Sequence, residues 1–264
     1  MVLACTEETM GITLLTAASV GAMMLLTYGF VATAGEVKVI AAASMTAVFR
    51  ELGPRFEHDT GHKLVTKFAT SAVVKREIDA GETFDLVISN TSAIDDWIAQ
   101  SKLVAATRAA VAYAGLGVGV RTGAPKPDVG SVEAFKLTLL QAKSVAYGAE
   151  SASAAYFKGL LDRLGIAEEM KPKLKPVIGG AGFKSVANGE VEIGVATVPT
   201  IVAAPGLELV GPLPAELQTY ISITAGVSTG AKEPEVAQGL IKFLTSPAAV
   251  AVIKAKGMHP GAPQ

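Results

Sequence analysis

Small hydroxyl and amide side chains recur in this sequence where a strand is predicted to end and a helix to begin. The set comprises Ser44, Ser71, Asn90 or Thr91, Ser151, Ser153 and Thr197. The first amides of a helix have no partner within the helix, and the helix dipole makes that end positive. Hydroxyl groups beside such amides favour an anion without any charged side chain. Each residue taken alone is equally explained as an ordinary helix cap, so the prediction rests on their joint placement.

Proton transfer beside a carboxylate is a second chemistry to consider. It needs a base with a pKa near neutrality and cations that hold the carboxylates. Candidates are few, since His58 and His62 are expected at the surface and His259 lies in the carboxy-terminal tail. Lys184, at the start of a short predicted helix after the glycine-rich run at 179–182, is the best-placed cation. We therefore include it among the predicted ligand-binding residues.

Other kinds of site find no support in the sequence. His58 and His62 have helical spacing, but Gly61 between them argues against one continuous helix, so we predict no metal held by side chains and no cofactor. The alternating glycines from Gly115 to Gly119 lie inside a predicted strand and are not a dinucleotide-binding turn. A net charge of -1, with Lys and Arg scattered along the chain, argues against nucleic-acid binding.

The elements that position these turns follow a strand–helix alternation. Apolar strands are predicted at residues 37–40, 64–68 and 85–88. Each is followed by a small polar turn and then by an apolar pattern of helical period. Repeated units of this kind predict an α/β fold with a mainly parallel open sheet and right-handed crossovers.

Two extended segments, 111–120 and 219–227, interrupt this alternation and indicate passages between two lobes. The helices predicted after residue 234 have no third set of strands, so they should fold back on the first lobe. The predicted domains are 1–34 as a signal peptide, 35–115 with 226–264 as lobe one, and 116–225 as lobe two. Open α/β sheets bind ligands at their strand ends, which predicts a site in the cleft between the lobes.

The amino-terminal segment differs in composition from the rest of the 264 residues, of which 50% are apolar. From Met10 to Ala34 it carries no charge and ends in Ala32-Thr33-Ala34, a pattern typical of a secretory leader cut after Ala34. This predicts a periplasmic protein. The usual basic residues are missing, and Glu7 and Glu8 are present instead. An uncleaved membrane anchor and a misassigned start codon are therefore the alternatives.

Cysteine usage depends on the same segment. Cys5 is the only cysteine, so a chain that begins at Gly35 has no disulfide, no thiolate nucleophile and no cysteine metal site.

Several short motifs in order resemble the periplasmic solute-binding proteins of ABC importers, most closely the molybdate-binding group. They are Ala41-Ala42-Ala43-Ser44, the stretch from Gly81 to Ser89, Phe243-Leu244-Thr245-Ser246-Pro247 and Gly257-Met258-His259-Pro260. The resemblance spans residues 37–260. It implies a two-lobed periplasmic binding protein of type II fold, a small anionic ligand, a permease partner in the inner membrane, and a monomer.

The resemblance also implies how the anion is held, namely by hydroxyls and main-chain amides at helix starts. It gives Ser44 and Ser71 as hydroxyl donors from lobe one, and amides near Ala152 and Ser153 from lobe two. The tyrosine of the family's site falls at Thr197. The usual Pro-Ala-Gly-like turn is replaced by Ser-Ala-Ser-Ala at residues 151–154. Both departures touch the pocket, so the ligand stays open between an oxyanion and an organic carboxylate.

A side branch of the family is more similar over the predicted second lobe. The shared segments are Gly123 to Asp128, Val132 to Lys136 and Ser144 to Tyr147. That branch includes an aconitate isomerase, a periplasmic enzyme on the same scaffold. The alternative function is therefore isomerisation of a tricarboxylate such as aconitate, for which the resemblance assigns no catalytic residues.

Overall fold

A computed structural model describes residues 35–178 and 183–263. In chain order the elements are β1 (Glu36–Ala42), α1 (Thr46–Thr60), β2 (Lys63–Ala69), α2 (Ser71–Asp79), β3 (Leu86–Asn90), α3 (Thr91–Ala99), β4 (Ala109–Arg121), α4 (Val132–Gln141), β5 (Val145–Gly148), α5 (Ala152–Arg163), α6 (Ala167–Met170), β6 (Leu174–Val177), α7 (Lys184–Ala187), β7 (Ile193–Thr197), α8 (Val198–Ala203), β8 (Leu207–Pro212), β9 (Tyr220–Val227), α9 (Pro234–Leu244), α10 (Pro247–Ala255) and β10 (His259–Pro260). The predicted leader and the glycine-rich run at 179–182 lie outside the described residues.

The strands join into one sheet of order β2-β1-β3-β9-β4-β7-β5-β6, and β8 and β10 also pair with β4. β1 lies parallel to β2 and β3, and β5 lies parallel to β6 and β7. Each antiparallel pairing between the described strands involves β4 or β9, the two segments predicted to be crossings. The predicted α/β class, a sheet flanked by helices, is confirmed.

Strand β4 changes partners halfway along its length. Its first part, up to Gly115, pairs with β9, whereas the part from Leu116 onward pairs with β7 and β8. At this junction the Gln218 side chain binds both backbone groups of Leu116: Oε1 accepts from the amide at 2.7 Å, and Nε2 donates to the carbonyl at 3.0 Å. The Gln218 side chain thus makes the backbone hydrogen bonds that a neighbouring strand makes elsewhere along β4. The exact lobe boundaries stay a prediction.

Two large hydrophobic clusters hold the sheet and its helices together. The terminal core joins residues 37–56 to β3, to the first part of β4, and to residues 223–258 of β9, α9 and α10. The central core is drawn entirely from residues 116–217. Smaller clusters form around Trp97 and around Phe183 with Ile201. The helix starts that follow β1, β2, β5 and β7 are therefore each anchored by buried apolar side chains.

Close packing of α8 on β4 depends on Gly119. A Cβ atom at this position would lie 2.7 Å from Cγ2 of Ile201, which is fully buried. Real contacts of that length do not occur, so any larger residue would push α8 away from the sheet. The glycine repeat in β4 is thus explained by packing, and it fixes the helix that follows Thr197.

No single helix among the described residues is long and apolar enough to cross a membrane. Only α9 and α10 together reach that length, and they meet at an angle of 64°.

Asp79 gives the fold a pH dependence that can be measured. Its carboxylate accepts a hydrogen bond from Lys102 at 2.7 Å and another from Lys75 at 2.6 Å. The bond from Lys102 contributes most, and together the two bonds lower the pKa of Asp79 to about 2. A folded-state pKa below the unfolded value of about 3.9 stabilises the fold at neutral pH, and this contribution is lost as pH falls from about 4 toward 2.

We therefore expect Asp79→Asn to lower the melting temperature by about 2–4 °C at pH 7, since exposed ion pairs contribute about 1 kcal/mol or less. The difference from the unsubstituted protein should shrink as pH is lowered from about 4 to 2, followed by circular dichroism. A difference that stays constant over this range would contradict the assignment. Glu168→Gln, which breaks an exposed pair with Lys171 within one helical turn, is the control.

Candidate functional site

A cavity of about 70 Å³ lies where the starts of α2, α3, α5 and α8 meet the turn after β1. Its lining consists of small, hydroxyl-bearing and apolar residues: Ala42, Ala43, Ser44, Thr70, Ser71, Asn90, Gly148, Ser151, Ala152, Ser153, Phe183, Ala196, Thr197, Thr200, Ile221 and Ile223. Every predicted ligand-binding residue except Lys184 is in this set. The strands β1, β2, β3, β5 and β7 all end here, which is why their turns converge.

Lys184 does not belong to the cavity lining. It is the first residue of α7 and its side chain is exposed, whereas the preceding Phe183 is buried and faces the cavity. The structure therefore gives no support to the prediction of a cation at the site. Phe183 packs in a buried cluster with Val186 and Ile201, a long-range contact that the sequence pattern does not show.

The turn after β1 presents the hydroxyl of Ser44. The alternative role as a cap does not apply to Ser44, which lies in a 3₁₀ turn, Ala43–Met45, while α1 begins only at Thr46. The Thr46 hydroxyl donates to the carbonyl of Ala43 at 2.7 Å. Ser44 makes no capping bond and no other side-chain hydrogen bond to the described residues. Its O–H is thus free to donate to a ligand.

The start of α2 presents both an amide and a hydroxyl. The cap is Thr70, whose Oγ1 accepts from the amide of Val73 at 3.4 Å. Ser71 is therefore the first helical residue, and its hydroxyl and amide have no acceptor among the described residues. Thr70 was missed because two adjacent hydroxyl residues compete for the capping position, and the sequence does not say which one prevails.

Asn90, and not Thr91, faces the cavity from the start of α3. The Thr91 hydroxyl pairs with that of Thr224 at 2.8 Å, away from the lining residues. The Asn90 side chain accepts from Ser89 at 3.2 Å and donates one N–H to Ser92 at 2.8 Å. A primary amide has two N–H groups, so one remains for a ligand.

The turn before α5 offers main-chain amides more than hydroxyls. Ser151 donates its hydrogen to the carbonyl of Gly148 at 2.7 Å, so the 2.9 Å contact with Ser153 must be a bond donated by Ser153. Both hydroxyl hydrogens are thereby used within the protein. The amides of Ala152 and Ser153 have no acceptor among the described residues. This agrees with the resemblance, which implies amide donors at this turn.

At the start of α8, Thr197 is coupled to a second threonine. Their hydroxyl oxygens lie 2.8 Å apart, so one hydrogen is shared between them and the other is available. Thr200 was not predicted, although it stands three residues after Thr197, a spacing that places both on one face of a helix. The signal was present in the sequence and was not used.

No charged or otherwise titratable side chain lines the cavity within the described residues. Phe183, Ile221 and Ile223 form its apolar walls, and an apolar surrounding strengthens each hydrogen bond made inside. The positive ends of α2, α3 and α5 all point to it. The arrangement can surround a small anion with N–H and O–H donors, but it supplies no side chain for proton transfer.

Comparison with known proteins gives a consistent result. The sequence profile of the family described as bacterial extracellular solute-binding protein matches residues 37–259. An aconitate isomerase from a Pseudomonas species is 29% identical over 84% of this chain and 87% of its own length. The molybdate-binding protein ModA of Azotobacter vinelandii is 29% identical over 86% and 90%.

Among solved structures, the Azotobacter vinelandii periplasmic molybdate-binding protein superposes with a TM-score of 0.73 at 20% identity, covering 86% of this chain and 100% of that one. At this identity the likeness shows the fold alone.

Proposed function

Because the chain belongs to the bacterial extracellular solute-binding proteins, we propose that it captures a small tetrahedral oxyanion in this cavity. It would act in the periplasm and pass the anion to an ABC permease in the membrane. The observation that carries the proposal is the cavity's lining. Donors from Ser44, Ser71, Asn90 and the amides of Ala152 and Ser153 converge on a space that holds no fixed charge.

The size of the cavity also favours a small ligand. The cavity leaves about 70 Å³ for the centres of water-sized groups, so it holds several of them. A central atom with four oxygens fits that space. A tricarboxylate would bring carboxylate groups that meet no cation in the described lining.

Hinge motion would give the anion its way in and out. The cavity is lined by turns from both predicted lobes, and the chain passes between the corresponding parts of the sheet at β4 and at the segment before β9. We propose that the lobes rotate about the junction at Gly115 and Leu116, where the backbone is held by the Gln218 side chain. Binding would then favour the closed arrangement by mass action.

Two known relatives point to different ligands. Molybdate binding is the function named for one of them, and aconitate isomerisation is the function named for the other. Isomerisation is therefore the second candidate for this chain. It needs a base and cationic partners near the substrate, and among the described residues the lining provides neither. We favour oxyanion binding for this reason.

A thermal-shift panel tests the proposal directly. Protein beginning at Gly35 would be melted with molybdate, tungstate, sulfate, phosphate, citrate, and cis- and trans-aconitate. A ligand at about 1,000 times its dissociation constant stabilises by about 4 kcal/mol, which corresponds to roughly 8–16 °C for a domain of this size. We expect the largest shift with a tetrahedral oxyanion.

Two outcomes would count against the proposal. The absence of a shift with every oxyanion would contradict anion capture. Conversion of cis-aconitate, followed by NMR, would show that the protein is an isomerase and not only a binding protein. A shift with sulfate but not with molybdate would keep the proposal and change only the oxyanion.

A further inference from the structure

An ion pair lies beside the mouth of the cavity, by which we mean the outer groove that shares Ser71, Asn90, Ser151 and Ala152 with the cavity lining. Arg76 in α2 binds Glu150 with both guanidinium nitrogens, Nη1 to Oε1 at 3.3 Å and Nη2 to Oε2 at 3.4 Å. Helix α2 packs on β1 and β3 through Val74 and Ile78, whereas Glu150 follows β5, so the pair joins the part of the sheet around β1 to the part around β5. On another side of the cavity, α8 also contacts α1.

A backbone bond reinforces the same contact. The amide of Ala72 donates to the carbonyl of Glu150 at 3.4 Å. Ala72 follows Ser71 and Glu150 precedes Ser151, so each partner is one residue away from a residue that lines the cavity. A movement that separates Arg76 from Glu150 therefore also opens the site.

Other charged groups at the mouth do not compete for this pair. Lys75 is bound to Asp79 at 2.6 Å. The ammonium of Lys158 lies over the ring of Tyr147, 5.4 Å from its centroid. Asp96 lines the mouth without an ion pair to any described residue. The side chain of Glu150 is 29% exposed and that of Arg76 is 62% exposed, so the pair is accessible to salt.

We propose that Arg76 and Glu150 are positioning residues that prolong the residence of the bound anion. This rests on the proposed function. The pair can form only while the two sides of the cavity are together, so it stabilises the closed state and not the open one. Losing it speeds ligand release. Exposed ion pairs of this type change an equilibrium by at most about 5-fold, which sets the expected size of the effect.

The test compares Arg76→Gln, Glu150→Gln and the charge swap Arg76→Glu with Glu150→Arg in the full chain, purified as its expression host processes it. Arg55→Gln is the matched control, because the pair of Arg55 with Glu51 is similarly exposed, at 54% and 35%, but lies within α1. The first measurement is the dissociation rate of molybdate by stopped flow, at low and high salt. The second is hydrogen exchange of the ligand-free protein over residues 71–79 and 149–157.

We expect both single variants to release molybdate about 2- to 5-fold faster at low salt, with no difference at 1 M salt, and the swap to restore slow release. Exchange should rise in the same two segments and return toward the original value in the swap, while Arg55→Gln changes neither measurement. Equal release rates and equal exchange in all variants would overturn the proposal.

The exchange measurement needs no ligand, so it separates this proposal from the proposed function. If the unsubstituted protein binds none of the oxyanions, the proposed function fails. Unchanged hydrogen exchange in the single variants would still contradict the proposal that the ion pair holds the two sides of the cavity together. Faster exchange that the swap reverses would still support it.

Discussion

Replacing Ser44 and Ser71 together by alanine should weaken anion binding by at least about 100-fold. Each hydroxyl lacks another acceptor among the described residues and lines the cavity. A hydrogen bond to a charged group contributes about 1.5–3 kcal/mol, so two of them account for a factor of roughly 10²–10⁴ in the dissociation constant. Isothermal titration with the oxyanion that gives the largest thermal shift would measure the loss.

The unliganded double variant should melt close to the original protein, because neither hydroxyl bonds to the protein itself. Thr66→Ala is the control: it removes a hydroxyl from β2 that lines an outer groove and not the cavity. Unchanged affinity in the double variant would exclude Ser44 and Ser71 from the site. A large drop in the melting temperature without ligand would instead indicate a structural role.

Phe157→Ala should have the largest effect on stability. Phe157 is 1% exposed, belongs to the central core, and lies with its ring centroid 6.0 Å from that of Tyr147. Truncating a buried phenylalanine costs about 3–5 kcal/mol, because apolar contacts are lost and a cavity remains. For a domain of this size the melting temperature should fall by roughly 10 °C.

The same substitution connects the core to the site, because Phe157 anchors the helix whose first amides line the cavity. Phe157→Leu keeps most of the volume and should cost less than about 1.5 kcal/mol. Calorimetry would compare the melting temperatures of the original protein, Phe157→Ala and Phe157→Leu. A Phe157→Ala protein that melts within 2 °C of the original would show that α5 is held chiefly by other contacts.

The family and the α/β class were predicted correctly from the sequence, and the reasons are physical. Apolar strands alternate with helical patterns, and the carboxyl ends of neighbouring parallel strands share one edge of a sheet. That rule alone brings Ser44, Ser71 and Asn90 together, as the structure shows. The amides of Ala152 and Ser153 were implied by the resemblance, and they lie at the same cavity.

What sequence reasoning missed depends on local competition and on long-range contacts. Ser44 does not cap α1, because a 3₁₀ turn at Ala43–Met45 makes Met45 the cap residue and Thr46 the first residue of the helix. Thr70 outcompetes Ser71 for the cap of α2. Lys184 is exposed and lies outside the lining, whereas its neighbour Phe183 is buried and belongs to it. The bonds of Gln218 to Leu116 join residues 102 positions apart, and no local pattern specifies them. The short elements α6 and β10 were also not predicted.

The division of the hydrophobic residues into two cores has a consequence for the order of folding. All residues of the central core lie between 116 and 217, so this half can condense as soon as that stretch is complete. The terminal core requires Val37 and Met258 in the same cluster, so its last contacts close a very long loop. Contacts between distant residues form slowly. We therefore expect a refolding chain to protect the amides of β5 and β7 first. The serine-bearing turns after β1 and β2 should gain protection last, so a chain truncated before α9 would retain only the central half of its anion site.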